Sequence, residues 1–492
     1  MNIAVIGSGA SAFGVLMRLK KELKENNISI TVISKDLNFM NTIFSKNIAS
    51  KKNNIIFNKS SNLHTNIRHN FGHTFNEIKI NNSNNLIYNI RHSGGLSDIW
   101  SGSAALPLLQ DLTKWGFRSD EIEPYYKTIS NYLNLSGKKN EISNYKKSFN
   151  SIPNEFVNSP PIKEHDLVNK LIQKLKNKTI RNDFHINTNY VFLRDKSKCQ
   201  YCEICDSCFS GCLNDSIFRP SKIINELISN KNFSYENDNV DSLKIINNEY
   251  EITTENKKKI IFDKVFLCAG ALNSAKIIIK SFDYPKNDVL IYDIPTKFFP
   301  IVSKIPKFKI DKKSFGFSSA SGSVIMNNDN YYHILIGHLP KEYFKNKIQN
   351  KFISSLLKNI SNKLFLYGTI YGSNKDFLSY KLTKNFEITS SQKERLNQIN
   401  NNLNDALKKL KKIFYEGNFL ILNNFAINGK SSSHYSSNLF DAYKIKRNIC
   451  AEFNKNLHIC DTSILGAPSS SQPHTFFIMA NAYRLADKAF QN

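Results

Sequence analysis

The sequence predicts an α/β fold with a parallel sheet assembled from distant segments of the chain, plus an α+β domain built on an antiparallel sheet. Three observations predict it. "NIAVIGSGASAFGVLMRLKKEL" opens the chain as a short β-branched strand, a glycine-rich turn and an amphipathic helix. "KVFLCAG", from Lys264, is a continuous apolar run ending in small residues, as a parallel strand buried on both faces requires. Between roughly 285 and 415 the pattern changes to "SASGSVIMNNDNYYHILIGHL" and "KLFLYGTIYGSN", alternating stretches with Gly and Asn turns.

Length and composition set the frame. A chain of 492 residues has room for two or three domains. Its 41% hydrophobic and 12% aromatic content belongs to a folded protein. Apolar runs such as "FFIMANAY" are too short to span a membrane. The N-terminus lacks a basic leader segment, so we expect no signal peptide and a cytoplasmic location. Lys and Arg number 67 against 41 Asp and Glu, a formal charge of +26. The lysines are scattered among Asn and Ile, and no nucleic-acid motif accompanies them, so no specific nucleic-acid partner is expected. Peripheral contact with an anionic membrane surface, or a polyanionic substrate, stays open.

The first element is the N-terminal turn. Gly7-Ser8-Gly9-Ala10-Ser11-Ala12 reads G-x-G-x-x-A. Gly7 permits the tight turn, Gly9 lets backbone N–H groups approach a pyrophosphate, and Ala12 allows close helix–strand packing. The helix N-terminus beyond Ala10 and Ser11 faces the phosphates. Phe13, Leu16, Met17 and Leu19 form the strand-facing side of that helix. The motif starts at residue 7, directly after a strand, and so predicts dinucleotide binding in a Rossmann-like domain. The second strand, "ISITVIS", normally ends in an acid that holds a ribose hydroxyl. That position holds Ser34; Asp36 is a substitute two residues on, and Ser34 with Lys35 would alternatively suit the 2′-phosphate of NADP.

Four further segments bear on which dinucleotide it is. "RHSGGLSDIWSGSAALPLLQDLTKWGFRSDEIEPYY" runs from residue 91 to Tyr126, "KVFLCAGALNSAKIIIKS" from Lys264, "SSSHYSSN" surrounds His434, and "NLHICDTSILGAPSSSQPHTFFIMANAYRLADKAF" ends at Phe490. In this order and spacing they resemble the glucose–methanol–choline (GMC) family of flavin oxidoreductases. The resemblance implies FAD as cofactor, with the G-x-G-x-x-A turn as its fingerprint. It implies a second flavin-contacting loop through Gly94, Gly95, Trp100 and Gly102. Ala269, Gly270 and Ser274 match the family's strand-to-helix element, and Asp461 its C-terminal acid that returns to the flavin, with Thr475 opening the last helix. His92, beside the flavin loop, is a candidate for a covalent flavin link.

The expected organisation follows. Residues 1–150 and 221–284 form two parts of the FAD-binding domain, 151–220 a linker with a Cys-rich insert, 285–430 the substrate domain, and 431–492 a C-terminal FAD-binding and catalytic segment. In the substrate domain "SQKERLNQINNNLNDALKKLKKIFYEG" predicts a helix, with Leu396, Ile399, Leu403, Leu407, Leu410 and Ile413 on one stripe and Gly417 at its end.

The resemblance also implies the chemistry. The hydroxyl of an alcohol, sugar or polyol loses its proton to a base while a hydride passes to flavin N5, and the developing alkoxide needs stabilising. Histidine suits the base because it titrates near working pH. His434 stands where the family has its active-site histidine, and His474, within Gln472-Pro473-His474-Thr475, is the second catalytic candidate, with Gln472 as the alternative.

One segment stays unassigned. Cys199, Cys202, Cys205, Cys208 and Cys212 fall in "CQYCEICDSCFSGC". The C-x2-C-x2-C subset is compatible with an iron–sulfur cluster, zinc is a second reading, and reduced cysteines packed in a loop are a third. A cluster would take electrons singly from reduced flavin and make the enzyme a dehydrogenase rather than an oxidase, with the electron acceptor left open; the alternative is a non-catalytic or electron-transfer metal or iron–sulfur protein on a GMC-like fold. Cys268, Cys450 and Cys460 read as core residues.

Overall fold

A computed structural model describes residues 1–23, 27–36, 76–81, 86–90, 93–98, 100–139, 152–176, 183–194, 216–229, 233–305, 314, 318–326, 330–338, 363–390, 392–429, 431–432, 434–445, 452–466 and 474–491. The first sheet is built around β1 (Asn2–Ile6), with β2 (Ser29–Ile33), β3 (Phe233–Glu236) and β4 (Lys264–Leu267). Its six strands run in the order Glu452–Asn454, Leu457–Ile459, β4, β1, β2, β3. All pair in parallel except Glu452–Asn454. Ile3, Ala4, Val5 and Ile6 of β1 are all buried, which is why this strand is apolar without alternation. N-terminal, middle and C-terminal pieces of the chain thus share one sheet.

Helix α1 (Ala10–Glu22) follows β1, α2 (Ala271–Ser281) follows β4, and α4 (Thr475–Gln491) closes the chain. α1 and α4 cross closely. A Cβ on Gly14 would lie 2.3 Å from the Met479 carbonyl oxygen and 3.0 Å from Ala482 Cβ. Arg18 of α1 pairs with Asp487 of α4 beside this crossing. Gly14→Ala should therefore push the helices apart and lower stability by about 1–3 kcal/mol, the usual cost of overpacking. A denaturant melt with an unchanged midpoint would refute the close crossing.

The second layer is an antiparallel sheet of seven strands. Its main strands are β5 (Thr296–Ser303), β6 (Ala320–Met326), β7 (Asn330–His338) and β8 (Phe365–Tyr371). The order is Phe419–Ile421, β5, β8, β7, β6, Phe184–Thr188, with Ile427–Asn428 also pairing β5. Strand β5 contains Pro300, a residue that cannot donate to a ladder. It is tolerated because β5 has two short partners on that side: Ile301 pairs Ile421, Phe298 pairs Ile427, and Pro300 falls between them. Helix α3 (Lys393–Glu416) buries Ile399, Leu403, Leu407, Leu410 and Ile413, with Leu396 half-buried. Gly417 follows it but is not a left-handed cap, since its φ is −83°. A Cβ there would sit 2.9 Å from Leu175 Cδ2 and 3.3 Å from the Phe414 carbonyl oxygen. Among the described residues no helix is long and apolar enough to cross a membrane.

Candidate active site

A cavity of about 620 Å³ runs between the two layers. One end is the N-terminal turn. Gly7 adopts φ +110°, and a Cβ on it would lie 2.4 Å from the Cys268 carbonyl oxygen, so the turn presses directly on the end of β4. Gly9 is the N-cap of α1, contributes no side-chain cap, and is followed by a first turn without acids. Gly7, Gly9, Ala10 and Ser11 all line the cavity. Ala12 does not; it is fully buried in the core.

The acid expected at the end of β2 is absent for a structural reason. Ser34 is buried and its Oγ lies 2.6 Å from Ser8 Oγ. Ser8 Oγ in turn accepts from the Gly94 amide at 3.0 Å. Ser34 thus fastens the second loop to the first turn. Asp36 lies off the cavity in a left-handed conformation, φ 51°, with its amide donating to Asn237 Oδ1. The acids that do line this end are Glu255, whose Oε2 accepts from Asn239 Nδ2 at 3.1 Å, and Asp241, which pairs with Lys280.

Gly94 and Gly95 carry the second loop over the start of α1. Ser97 Oγ accepts from the Ala10 amide at 3.1 Å and donates to the Gly94 carbonyl. A Cβ on Gly94 would strike the buried Asp98 carboxyl group, whereas one on Gly95 would meet nothing within 4 Å. Burial pushes Asp98 up to about 6, against its bonds from Ser221. Trp100 lines the cavity and donates its indole N–H to the Phe218 carbonyl at 2.8 Å. Gly102, with φ +72°, packs against Ile217 and the Phe192 carbonyl.

Beside the turn, Ala269 and Gly270 enter the cavity at the start of α2. Gly270 has φ +82° and nothing within 4 Å of where a Cβ would stand. Asp461 accepts from the Gly270 amide at 2.8 Å and from the Ser463 amide at 2.9 Å, and also holds Ser274 Oγ. Burial raises its pKa even so. Asp461 therefore ties the C-terminal segment to the β4–α2 turn while lining the cavity; Ser274 lies behind it, fully buried.

The far end holds both candidate histidines. His434 stacks on Tyr371 of β8, with ring centroids 5.9 Å apart at 15°. Its loop is fixed by a residue the sequence did not single out. Buried Asp293 accepts from the Ser432 amide at 3.1 Å and from Ser432 Oγ, and Ser432 Oγ accepts from the His434 amide at 3.0 Å. Burial pushes Asp293 up to about 6 despite these bonds. His474 sits just before α4, edge-on to Trp115 at 5.3 Å. Both of its ring nitrogens are buried with no hydrogen-bond partner among the described residues. Thr475, its neighbour, also lines the cavity. Gln472, His92 and the cysteines from Cys199 to Cys212 lie outside the described residues. Among the described residues no group of three or more His, Cys, Asp or Glu could hold a metal ion. Cys268 and Cys460 are buried, as expected of core residues.

Burial, and secondarily His434, pushes His474 from 6.5 down to about 3. Between those values the unfolded chain binds a proton that the folded chain does not, so stability falls as pH drops from about 6.5 towards 3. His474→Asn should flatten that slope by about one proton, ~1.4 kcal/mol per pH unit. Chemical melts at two acidic pH values measure it; an unchanged slope would mean that the imidazole is not buried neutral.

No family model and no curated protein matches the sequence. Solved structures give faint likenesses. The tetracycline destructase Tet(51) is 10% identical over 100% of this chain and 82% of its own, with a TM-score of 0.31. An oxidoreductase from Methanosarcina mazei is 8% identical over 100% of both chains, TM-score 0.33. A protein assigned as an FAD-containing monooxygenase from Photorhabdus luminescens subsp. laumondii TTO1 is 9% identical over 99% of this chain and 88% of its own, TM-score 0.34. At TM-scores this low they support neither a family nor an activity.

Proposed function

We propose that the protein is an FAD-dependent oxidoreductase of the GMC type that oxidises a hydroxyl group of a small molecule. The observation that carries this reading is one cavity lined both by Gly7, Gly9, Ala10 and Ser11 of the turn and by His434 and His474. The residues present fit the cofactor. Gly95 and Gly270 hold positive φ and leave open space where any side chain would intrude. The uncapped start of α1 favours an anionic group. Gly7, Gly9 and Ser11 would hold the pyrophosphate, Asn239 and Glu255 the nucleoside end, and Gly95, Trp100, Gly270 and Thr475 the remainder. When bound, FAD supplies the acceptor for the two electrons that leave the substrate carbon. His434 takes the hydroxyl proton, held in place through Ser432 and Asp293. His474, kept neutral by burial, donates or accepts a hydrogen bond at the substrate oxygen. The bond between Ser34 and Ser8 favours FAD over NADP, whose remaining support is Lys35.

The test is a visible absorption spectrum of anaerobically purified protein, with metal analysis of the same sample. Flavin bands are expected, and they should bleach when an alcohol substrate is added. Colourless protein that retains NADP would sink the reading.

A further inference from the structure

Past the end of β5 the chain meets the C-terminal turn of α3. The Lys304 amide donates to the Asn418 carbonyl at 3.0 Å, and the Lys304 ammonium lies 3.4 Å from the centroid of the Tyr415 ring. The helix Asp166–Lys176 closes this corner: Lys170 Nζ donates to the Ile305 carbonyl at 3.1 Å, and Leu175 lies against Gly417. Two large apolar side chains are left in water here, Ile305 at 50% exposure and Tyr415 at 58%. None of these residues lines the cavity.

Lysines ring the pair. Lys411 and Lys412 stand within one turn of Tyr415 on α3, and Lys174 stands one turn beyond Lys170 on its own helix. These three and Lys304 are exposed, and none of them has an ion-pair partner among the described residues. Lys409 is taken by Asp183 and Lys408 by Asp405, and Glu416 is the acid at this end of α3. A singly exposed apolar residue is ordinary, and a lysine-rich face is usually just solvated. Here both features share one corner of a chain that carries +26. Ile305 and the Tyr415 ring gain from an apolar phase, and the ammonium groups around them gain from anions at its edge. The interface of an anionic bilayer meets both demands: aliphatic side chains enter the acyl boundary, tyrosine sits at headgroup level, and lysine stems reach back to the headgroups. A nucleic acid would answer the charge but offers Ile305 no apolar phase.

We propose that this corner docks the protein on an anionic lipid surface. The proposal is independent of what the cavity binds. The test is sedimentation of the full chain with phosphatidylcholine vesicles that contain or lack phosphatidylserine. Vesicles with phosphatidylserine should bind at least about tenfold more tightly, and added salt should weaken that binding. Lys411→Gln combined with Lys412→Gln should weaken it about 20-fold, from roughly fivefold per lysine at such a surface. Lys244→Gln combined with Lys384→Gln makes the same charge change at exposed lysines of other elements. That pair should cost at most about threefold, since charges more than a Debye length from the lipid are screened. Ile305→Ser combined with Tyr415→Ser leaves the charge unchanged and should weaken binding at least about tenfold through lost apolar burial. Thermal melts check that every variant folds. Equal binding to both kinds of vesicle, or binding to neither, would overturn the proposal. So would equal losses in the two lysine pairs, which would mean diffuse charge, or full binding by the Ile305→Ser, Tyr415→Ser protein. An RNA oligonucleotide that binds more tightly than the phosphatidylserine vesicles, and loses affinity with Lys411→Gln and Lys412→Gln, would make the corner a nucleic-acid site instead.

Discussion

His434→Ala is expected to slow bleaching of bound flavin by substrate by roughly 10²–10⁴-fold, the usual contribution of a positioned base, while flavin content stays that of the wild type. The expectation follows from where the ring is held. His434 lies in the cavity wall, stacked on Tyr371, and its backbone is fixed through Ser432 to the buried Asp293. A proton arriving at the substrate end has two imidazoles within range. His474 is buried and pushed down to about 3, so it resists protonation in the neutral range. With His474 held neutral by burial, His434 is left to take the proton and His474 to orient the oxygen. The two should therefore be non-additive. His434→Ala with His474→Ala should be little slower than His434→Ala alone, as for groups that act as a unit. Stopped-flow absorbance measures all three. A His434→Ala rate within a few-fold of wild type would remove this histidine from the chemistry and leave the cofactor assignment untouched.

The parts of this site that were legible in the sequence are those set by local backbone geometry. The turn from Gly7 to Ala12 could be read because a strand, a helix start and two glycines fall within a few residues. The sheet built from both chain ends followed from apolar strands without alternation. What could not be read depends on partners distant in sequence. Ser34 looked like a missing acid, but its partner is Ser8, 26 residues away. Asp293 carries no motif, and its role appears only because the fold brings it to Ser432, 139 residues on. β5 was obscured by Pro300, which reads as a strand breaker until the gap between its two short partners is known. The alternation of Tyr367, Thr369 and Tyr371 marks one face of β8, but only the pairing with Phe298 and Leu335 says that this face walls the cavity.

Gly7→Ala is expected to remove flavin retention altogether or reduce it at least tenfold, and to destabilise the protein. Two costs combine at this position. The backbone sits at φ +110°, a conformation that side-chain-bearing residues hold only at about 1–3 kcal/mol. The added Cβ would also stand 2.4 Å from the Cys268 carbonyl oxygen and 2.8 Å from its carbon, both main-chain atoms of the central sheet that cannot rotate away. Relief requires the turn to lift from the end of β4, at a further ~1–3 kcal/mol typical of overpacking. Lifting the turn shifts Gly9, Ala10 and Ser11, which line the cavity, and strains the bonds from Ser8 to Ser34 and Gly94. A loss of only ~1.4 kcal/mol of binding free energy is already tenfold in affinity. Gly95→Ala is the matched control. Its added Cβ would meet nothing within 4 Å in the protein, so it carries backbone strain without a main-chain clash. It should lose affinity for flavin while its melt moves less than that of Gly7→Ala. Flavin released by denaturation and quantified per mole of protein, beside a thermal melt of each variant, separates the two effects. Wild-type flavin content in Gly7→Ala would show that the cofactor does not rest on this turn.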